Sequence, residues 1–353
     1  MGSILARKRK DGTTGYLAQI VITRRGKIVH REAKTFDRRQ AAKTWAAQRE
    51  AQLSAPGGLE RRENPALSVV IDRYIAESAH IGKTKGQVLR SIRENYELST
   101  LRCSEIDCAA VVQFAQKIDV SPQTRQNYLS HLGAVFTVAQ PAWRYPLDQS
   151  VVRDAMIVLK KLGLISKSNE RTRRPTLDEL DRLLTHFEKV KIRRPQSAPM
   201  VKIIGFAIFS TRRQEEISSV AWADYDKEAG RLMVRDMKDP GDKVGNDVLC
   251  DLPPEALAIV NSMPVNHERI FPYSADAISA AFTRACKILG IEDLHFHDLR
   301  HDGISRLFEM GKTIPQAAMV SGHRSWSSLK RYTHLRQTGD KYAGWKWMSA
   351  LSG

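Results

Sequence analysis

The stretch Phe296-His297-Asp298-Leu299-Arg300-His301 places three basic side chains at positions i, i+3 and i+4. On a helix these positions share one face, so His297, Arg300 and His301 are expected to lie together. Three apolar residues continue the helix on an apolar face that can anchor it: Ile304, Leu307 and Phe308. The spacing therefore predicts an anchored helix that presents a basic cluster.

Two further features follow this helix. Gly322 is expected to end a helix that begins near Pro315, and His323 leads out of the turn. Tyr332 comes nine residues after His323, on a predicted helix that starts near Ser325 to Ser327. Two side chains are expected to form the packing face of that helix: Trp326 and Leu329.

Together with an upstream arginine, these residues suit attack on a phosphodiester by tyrosine. A phenol has a pKa of about 10, so it needs a base and a cationic cradle for the phosphate. Forked arginine donors match phosphate oxygens, and histidine can move a proton. Arg213, in the stretch Arg213-Gln214-Glu215-Glu216-Ile217, can pair with Arg300 in this role. The pattern H-x-x-R-H lacks the glutamate of zinc proteases, and no metal or other cofactor is expected.

Composition limits the classes of partner. The chain has 353 residues, a net charge of +17 and a pI of about 9.8. This charge favours nucleic acid as the binding partner, and a membrane surface is the alternative partner. We find no apolar run of membrane-spanning length, no basic amphipathic helix and no signal peptide, so no membrane partner and a cytoplasmic, nucleoid-associated protein are expected. The four cysteines lack zinc-site spacing and are expected to be free thiols.

Residues 1–55 predict a small basic domain of three strands and one helix. The strands are expected at 16–22 and 28–30 with a partner near the N-terminus, and the helix from Asp37 to Gln52 with Ala41, Trp45 and Ala46 on one face. The segment carries over half of the net charge of the chain. A DNA-binding module is favoured over a solvated tail, with contacts expected from Arg7, Lys8, Arg9 and Lys10.

Residues 64–165 predict a domain of four or five helices. One of them opens at Ser121-Pro122 and buries Tyr128, Leu132, Val135 and Phe136. Arg125 falls on its opposite face, where it is expected to be free to contact DNA. A basic connector follows, and further DNA contacts are expected from Arg171, Arg173 and Arg174.

Residues 173–353 predict a mixed domain that opens with a capping box at Thr176-Leu177-Asp178-Glu179. Strands at 230–235 and 247–252 are expected to pair as a hairpin with Lys238 or Lys243 near its tip. The tail from Asp340 to Gly353 predicts a short amphipathic helix. The fold class is thus multidomain and mainly α with small β elements.

The stretch from Phe296 to Tyr332 resembles the catalytic end of the tyrosine recombinase (phage integrase) family. That family shows H-x-L-R-H, a later G-H, and a tyrosine nine residues after that histidine. Its upstream pattern T-G-x-R-x-x-E-[IL] is similar to residues 210–217, with Ser210 and Thr211 in place of Thr-Gly. The resemblance implies an N-terminal arm-type domain, a helical core-binding domain and a catalytic domain.

The resemblance also implies roles. Tyr332 attacks a scissile phosphate to form a 3′-phosphotyrosine, Arg213 and Arg300 bind its oxygens, and Lys238 protonates the leaving 5′-oxygen, with Lys243 as alternative. His297 takes the tyrosine proton and His323 donates to the phosphate. Two residues are implied only as supports: Glu216 and His301.

The implied function is an integrase of a phage or genomic island, acting without cofactor on double-stranded attachment sites. A tetramer on DNA and accessory DNA-bending proteins are implied as partners. The alternatives are a shufflon-type invertase, which residues 294–336 also resemble, a type IB topoisomerase, and a DNA-binding protein without catalysis. The tail packs on its own domain or on a neighbouring protomer; the sequence leaves both open.

Overall fold

The computed structural model describes residues 2–9, 12–24, 27–54, 63–167, 171–237 and 245–353. Contacts divide the chain into two compact units, Met1–Asn169 and Glu170–Gly353. The first unit contains both the N-terminal sheet and the helices that follow it. The division of that unit into two DNA-binding domains stays a prediction.

The N-terminal sheet has three antiparallel strands in the order of the chain: β1 (Ser3–Lys8), β2 (Thr14–Arg24) and β3 (Lys27–Phe36). Helix α1 (Arg39–Ser54) packs on it, as predicted. Ala42 and Ala46 are buried under the central strand, whereas Ala41 is exposed and Trp45 is half-buried against Phe36. The prediction is thus confirmed for Ala46 and wrong for Ala41, because the small side chains at 42 and 46 allow the closest approach to the sheet.

Five helices follow: α2 (Leu67–Glu77), α3 (Lys83–Asn95), α4 (Cys108–Lys117), α5 (Pro122–Trp143) and α6 (Gln149–Lys161). Ser121 caps α5 through its hydroxyl and Pro122 occupies the first turn, as the sequence predicts. Leu132, Val135 and Phe136 are fully buried from this helix. These three apolar side chains therefore form the centre of the helical core.

Arg125 differs from its prediction. Its guanidinium donates to the backbone carbonyls of Leu164 (2.6 Å) and Ile118 (2.8 Å). It ties the end of α4 and the residues after α6 to the start of α5. The expectation that Arg125 is free to meet a partner is wrong, because the ends of neighbouring elements turn their carbonyls towards it.

The second unit is mixed. Its helices are α7 (Leu177–Arg193), α8 (Met200–Ser210), α9 (Gln214–Ser219), α10 (Pro254–Asn261), α11 (Ala275–Ile288), α12 (Phe296–Glu309), α13 (Ile314–Ser321) and α14 (Met348–Ser352). A small antiparallel sheet joins β4 (Tyr225–Asp226), β5 (Arg231–Val234) and β6 (Val248–Asp251). The predicted hairpin of β5 and β6 is confirmed, with Leu232 opposite Cys250. The capping box of Thr176 and Glu179 is also confirmed.

Helices α8 and α12 cross closely at the centre of this unit. A Cβ atom on Gly303 would lie 1.9 Å from the carbonyl oxygen of Ile208, so only glycine allows this approach. The sequence prediction did not use Gly303. It is the contact that brings the end of α8 beside the basic face of α12.

The C-terminal tail packs on its own unit. Trp345, Trp347 and Leu351 are buried in the main core, and Leu351 fills the space left by Gly205 on α8. The ring nitrogen of Trp345 donates to Asp181 at 2.8 Å. Of the two arrangements that the sequence left open, this structure of the single chain has the intramolecular one. In the described residues, no helix combines the length and apolarity needed to cross a membrane.

Candidate active site

Helix α12 presents the predicted basic cluster. A capping box between His295 and Asp298 begins the helix, and the Asp298 carboxylate accepts from the backbone N–H of His295 at 2.8 Å. Ile304, Leu307 and Phe308 are buried on the anchoring side, as predicted. The helix is therefore held by its cap at the start and by buried apolar residues further along, and its first two turns carry the basic cluster.

Arg300 lies at the centre of the cluster and is only 3% exposed. Its guanidinium donates to the backbone carbonyls of Thr211 and Ser321 and approaches the ring of His323 at 3.3 Å. Burial lowers the pKa of Arg300 to about 9, and Glu216, with a carboxylate oxygen 3.7 Å away, opposes that shift. The guanidinium is thus still cationic at neutral pH.

Thr211 turns its carbonyl towards Arg300 because its backbone is left-handed, with φ of 57°. This conformation disfavours β-branched residues, which explains why the similar family pattern has glycine there. Thr211 is fully buried, and the packing around it holds the conformation. The substitution of glycine by threonine has not prevented the turn that ends α8.

Arg212 and Arg213 have different environments. Arg213 is partly exposed and donates to Glu216 at 2.7 Å. Arg212 is buried and donates to the Ser210 carbonyl at 3.1 Å and to the Cys250 sulfur at 3.0 Å. Glu216 is buried between Arg213 and Arg300, so one carboxylate contacts both arginines that were expected to bind phosphate.

His323 follows a left-handed turn at Gly322, as predicted, with φ of 72°. A Cβ atom at Gly322 would lie 2.5 Å from the terminal methyl of Met237, a flexible side chain that can move, so the left-handed backbone is the main reason for glycine here. The His323 ring lies 2.8 Å from the Ser321 hydroxyl. Burial lowers its pKa to about 3, with a further contribution from Arg300. The free protein therefore holds this imidazole neutral at pH 7.

Tyr332 lies on a short 3-10 turn, Lys330–Tyr332, which follows another at Trp326–Ser328. The prediction of a regular helix here is wrong. Leu329 is fully buried as expected, but Trp326 is 60% exposed. The two turns meet at Leu329, which belongs to neither of them, so no single regular helix carries both Trp326 and Leu329.

The phenol of Tyr332 contacts α12. Its oxygen lies 2.5 Å from Nδ1 of His301, and its ring stacks on Phe308 with 6.0 Å between centroids. The side chain is buried, with 6% exposure. His297 meets the His301 ring edge-on at 4.8 Å. The sequence assigned His301 only a supporting role, but in the structure it lies at the tyrosine oxygen.

Burial lowers the pKa of His301 to about 4, and the neighbouring His297 adds to this effect. The pKa of His297 is also lowered, first by burial and then by the charge of Arg300. Both rings are therefore neutral at pH 7 in the free protein. A neutral imidazole can accept a proton, which a charged one cannot.

The basic residues that were predicted to contact DNA or to act as the acid differ in how the structure describes them. Lys238, its alternative Lys243, and Lys10 lie outside the described residues. Arg7 and Lys8 are exposed on β1, and Arg9 is exposed and pairs with Asp37 at 2.6 Å.

The connector arginines are engaged inside the second unit. Arg171 binds Asp298 at 2.9 Å, and Arg174 binds Asp302 at 2.7 Å. Arg173 pairs with Glu179. Buried carboxylates on α12 and an acid at the start of α7 hold their guanidinium groups in ion pairs, and contact of these three arginines with DNA stays a prediction.

The side of α12 that carries Asp298 and Asp302 was not predicted from the sequence to have a role. Asp298 and Asp302 are fully buried there and receive Arg171 and Arg174, while Asp302 also contacts Lys341 from the tail. Acidic residues at i and i+4 opposite a basic face were a usable signal. Their partners lie far away in sequence, so the pairing itself was not visible.

Comparison with known sequences matches residues 173–338 to the phage integrase family. The shufflon-specific DNA recombinase of Escherichia coli is 30% identical over 285 residues, which cover 77% of this chain and 69% of that protein. The integrase of Salmonella phage P22 is 22% identical, over 60% of this chain and 54% of its own length.

Solved structures share the fold. The Tn1549 transposon integrase in complex with circular intermediate DNA has a TM-score of 0.58 at 12% identity, over 77% of this chain and 96% of that one. A lambda integrase dimer bound to a core site has a TM-score of 0.52 at 19% identity, over 93% and 94%. The family match spans the segment that carries both arginines and the tyrosine, and the shufflon recombinase is similar over most of both chains. The chain therefore belongs to the phage integrase family of tyrosine site-specific recombinases.

Proposed function

We propose that the protein cleaves and rejoins DNA at specific sites through a covalent bond between Tyr332 and a 3′-phosphate. The observation that supports this most strongly is the continuous cluster around Arg300. Arg300 approaches His323, shares Glu216 with Arg213, and lies on the same helix as the histidine at the tyrosine oxygen. A nucleophile, neutral bases and two cations are thus assembled in one place.

In this proposal Arg213 and Arg300 bind the non-bridging oxygens of the scissile phosphate and stabilise the charge of the transition state. Glu216 orients both guanidinium groups from behind. His323 donates to the phosphate. Binding of the phosphate adds negative charge, which raises the lowered pKa of this ring towards the value needed for donation.

Lys238 is proposed as the acid that protonates the leaving 5′-oxygen, with Lys243 as the alternative. Both residues belong to the connection between β5 and β6. The phosphotyrosine conserves the energy of the phosphodiester, so another 5′-hydroxyl can restore the DNA without a nucleotide or other cofactor.

The proposed partners are double-stranded attachment sites and further copies of the chain, in a tetrameric assembly, with accessory DNA-bending proteins. The structures of the Tn1549 and lambda integrases were solved in complex with DNA, which supports DNA as a partner. The exposed cations Arg7 and Lys8 on β1 support an N-terminal contact with phosphates. Action on DNA places the protein at the nucleoid of a bacterial cytoplasm.

Integration and excision are proposed as the outcome, because the N-terminal sheet with its helix suits an arm-type domain. Inversion is the second candidate. It is favoured by the 30% identity to a shufflon-specific recombinase. Plasmids that carry two sites in direct or inverted orientation separate these outcomes by the sizes of their restriction fragments.

The decisive experiment uses a nicked duplex from the DNA that flanks the gene, without added metal. A protein–DNA band should persist on a denaturing gel, and Tyr332→Phe should remove it while specific binding remains. A band that persists in Tyr332→Phe would place the nucleophile elsewhere. Specific binding without any band in the wild type would favour the DNA-binding alternative.

A further inference from the structure

Helix α12 positions both ends of the Tyr332 side chain. Phe308 stacks on the phenol ring with an interplanar angle of 12°, and His301 lies at the hydroxyl, 2.5 Å from it. These two residues are seven apart, so they lie on the same side of one helix, two turns from each other. The nucleophile is thus held with its oxygen against an imidazole nitrogen before any DNA is bound.

We propose that His301, rather than His297, accepts the phenol proton of Tyr332 when the tyrosine attacks. The proposal rests on the proposed function. The phenol hydrogen moves to Nδ1 of His301, the tyrosine oxygen bonds to phosphorus, and the bond from phosphorus to the 5′-oxygen breaks. In rejoining, the imidazolium returns the proton to the departing tyrosine oxygen.

The surroundings of His301 suit a proton acceptor. The ring is partly buried, and the pKa lowered to about 4 keeps it neutral at pH 7. With the phenol as donor to Nδ1, the ring carries its own hydrogen on Nε2. The titratable and charged groups that act on it come from its own helix and from the turn of the nucleophile: His297, Asp298, Arg300, Arg331 and Tyr332.

The position of His297 favours a role in phosphate binding and not in proton acceptance. It lies in the first turn of α12, and its pKa is lowered first by burial and then by the charges of Arg300 and Arg213, the proposed phosphate ligands. It meets His301 through an edge-on ring contact. Because both proposed phosphate ligands act on this ring, it suits contact with a phosphate oxygen.

The test compares His301→Gln with the matched variant His297→Gln on the nicked duplex. Glutamine can still hydrogen-bond to the phenol but is not a base. We expect His301→Gln to slow covalent bond formation by about 100-fold or more at pH 7, with unchanged affinity for the duplex. The rate should recover as pH rises towards the phenol pKa. A rate within about threefold of wild type would overturn the proposal.

A more acidic nucleophile separates proton acceptance from positioning. A fluorinated tyrosine at position 332 loses its proton more easily, so it should restore much of the rate in His301→Gln but not in His297→Gln. Rescue of His297→Gln alone would make His297 the acceptor. A loss in His301→Gln that fluorination does not reduce would reduce His301 to a positioning residue.

A readout without DNA keeps the test independent of recombination activity. In protein with nitrogen-15 in its histidines, Tyr332→Phe should shift the Nδ1 signal of His301 and leave that of His297 nearly unchanged. An unshifted His301 signal overturns the proposal even where the covalent band forms. Absence of the band in the wild type, with a shifted signal, would instead count against the proposed function.

Discussion

At the scale of single residues, two adjacent arginines illustrate how the chain separates chemistry from support. Arg213 is partly exposed and has one carboxylate partner, so it has donors left for a substrate. Arg212 is 1% exposed and its donors go to backbone carbonyls and a sulfur. The same side chain therefore serves in one position as a candidate ligand and in the next as an internal tie.

We expect Arg213→Ala to fold and bind DNA but to lose cleavage by about 100-fold to 1,000-fold, because one donor to the transition state is removed. Arg212→Ala should instead destabilise the second unit by roughly 3–5 kcal/mol, because it leaves buried acceptors without a donor. Thermal unfolding and the covalent gel assay distinguish the pair. Normal cleavage by Arg213→Ala would remove it from the site.

The buried imidazoles predict a pH dependence of stability. The pKa values of His323 and His301 in the folded protein, about 3 and about 4, lie below the ordinary value of about 6.5. Between these limits the unfolded chain binds more protons, so stability is complete above pH 6.5 and falls as pH is lowered.

At pH 5 we expect a loss of roughly 1–2 kcal/mol for each ring, measured as a lower midpoint of thermal unfolding than at pH 7. The double variant His301→Gln, His323→Asn should show a smaller drop. An equal drop in wild type and variant would assign the acid sensitivity to other groups.

At the scale of elements, helix α12 makes two sets of contacts, on different sides of the helix. One presents the site, and the other buries Asp298 and Asp302, which receive arginines from the connector. The crossing at Gly303 fixes the distance between helices α8 and α12. The position of the site therefore depends on a residue without a side chain.

Gly303→Ala should destabilise the second unit by roughly 3 kcal/mol, because its Cβ would overlap the Ile208 carbonyl and force α8 and α12 apart. Cleavage should fall with it, since Arg300 would lose its bond to Thr211. Gly86→Ala is the matched control, because its nearest contacts, at 3.5 Å, are to a flexible arginine. There the substitution should be neutral or stabilising by up to about 1 kcal/mol. Equal midpoints for both variants would contradict the close crossing.

At the scale of the whole molecule, the net charge of +17 predicts binding dominated by phosphate contacts. Six or more contacts imply a loss of about 1,000-fold in affinity between 50 and 200 mM salt. Fluorescence anisotropy on the specific duplex measures this slope. Arg7→Ala should lower the slope by about 1 if it contacts phosphate, whereas Lys346→Ala, whose lysine is paired with Asp181, is the control. A flat salt response contradicts the interface.

The sequence by itself predicted the residues of the candidate site and determined much of the secondary structure. Spacing of i, i+3 and i+4 is local, so the shared face of His297, Arg300 and His301 followed from helix geometry alone. The hairpin, the cap at Thr176 and the turn at Gly322 followed from equally local rules. The family resemblance rested on the same short motifs.

Only the tertiary structure decided which groups meet. Tyr332 reaches His301 across 31 positions, Arg171 reaches Asp298 across 127, and Arg174 reaches Asp302 across 128. Such partners are selected by how helices pack and which charges become buried, and no short spacing encodes them. For this reason the sequence predicted only DNA contact for the basic connector, and its ion pairs with α12 became visible only in the fold. The assignment of the proton acceptor likewise waited for the fold that set one of two neighbouring histidines against the tyrosine.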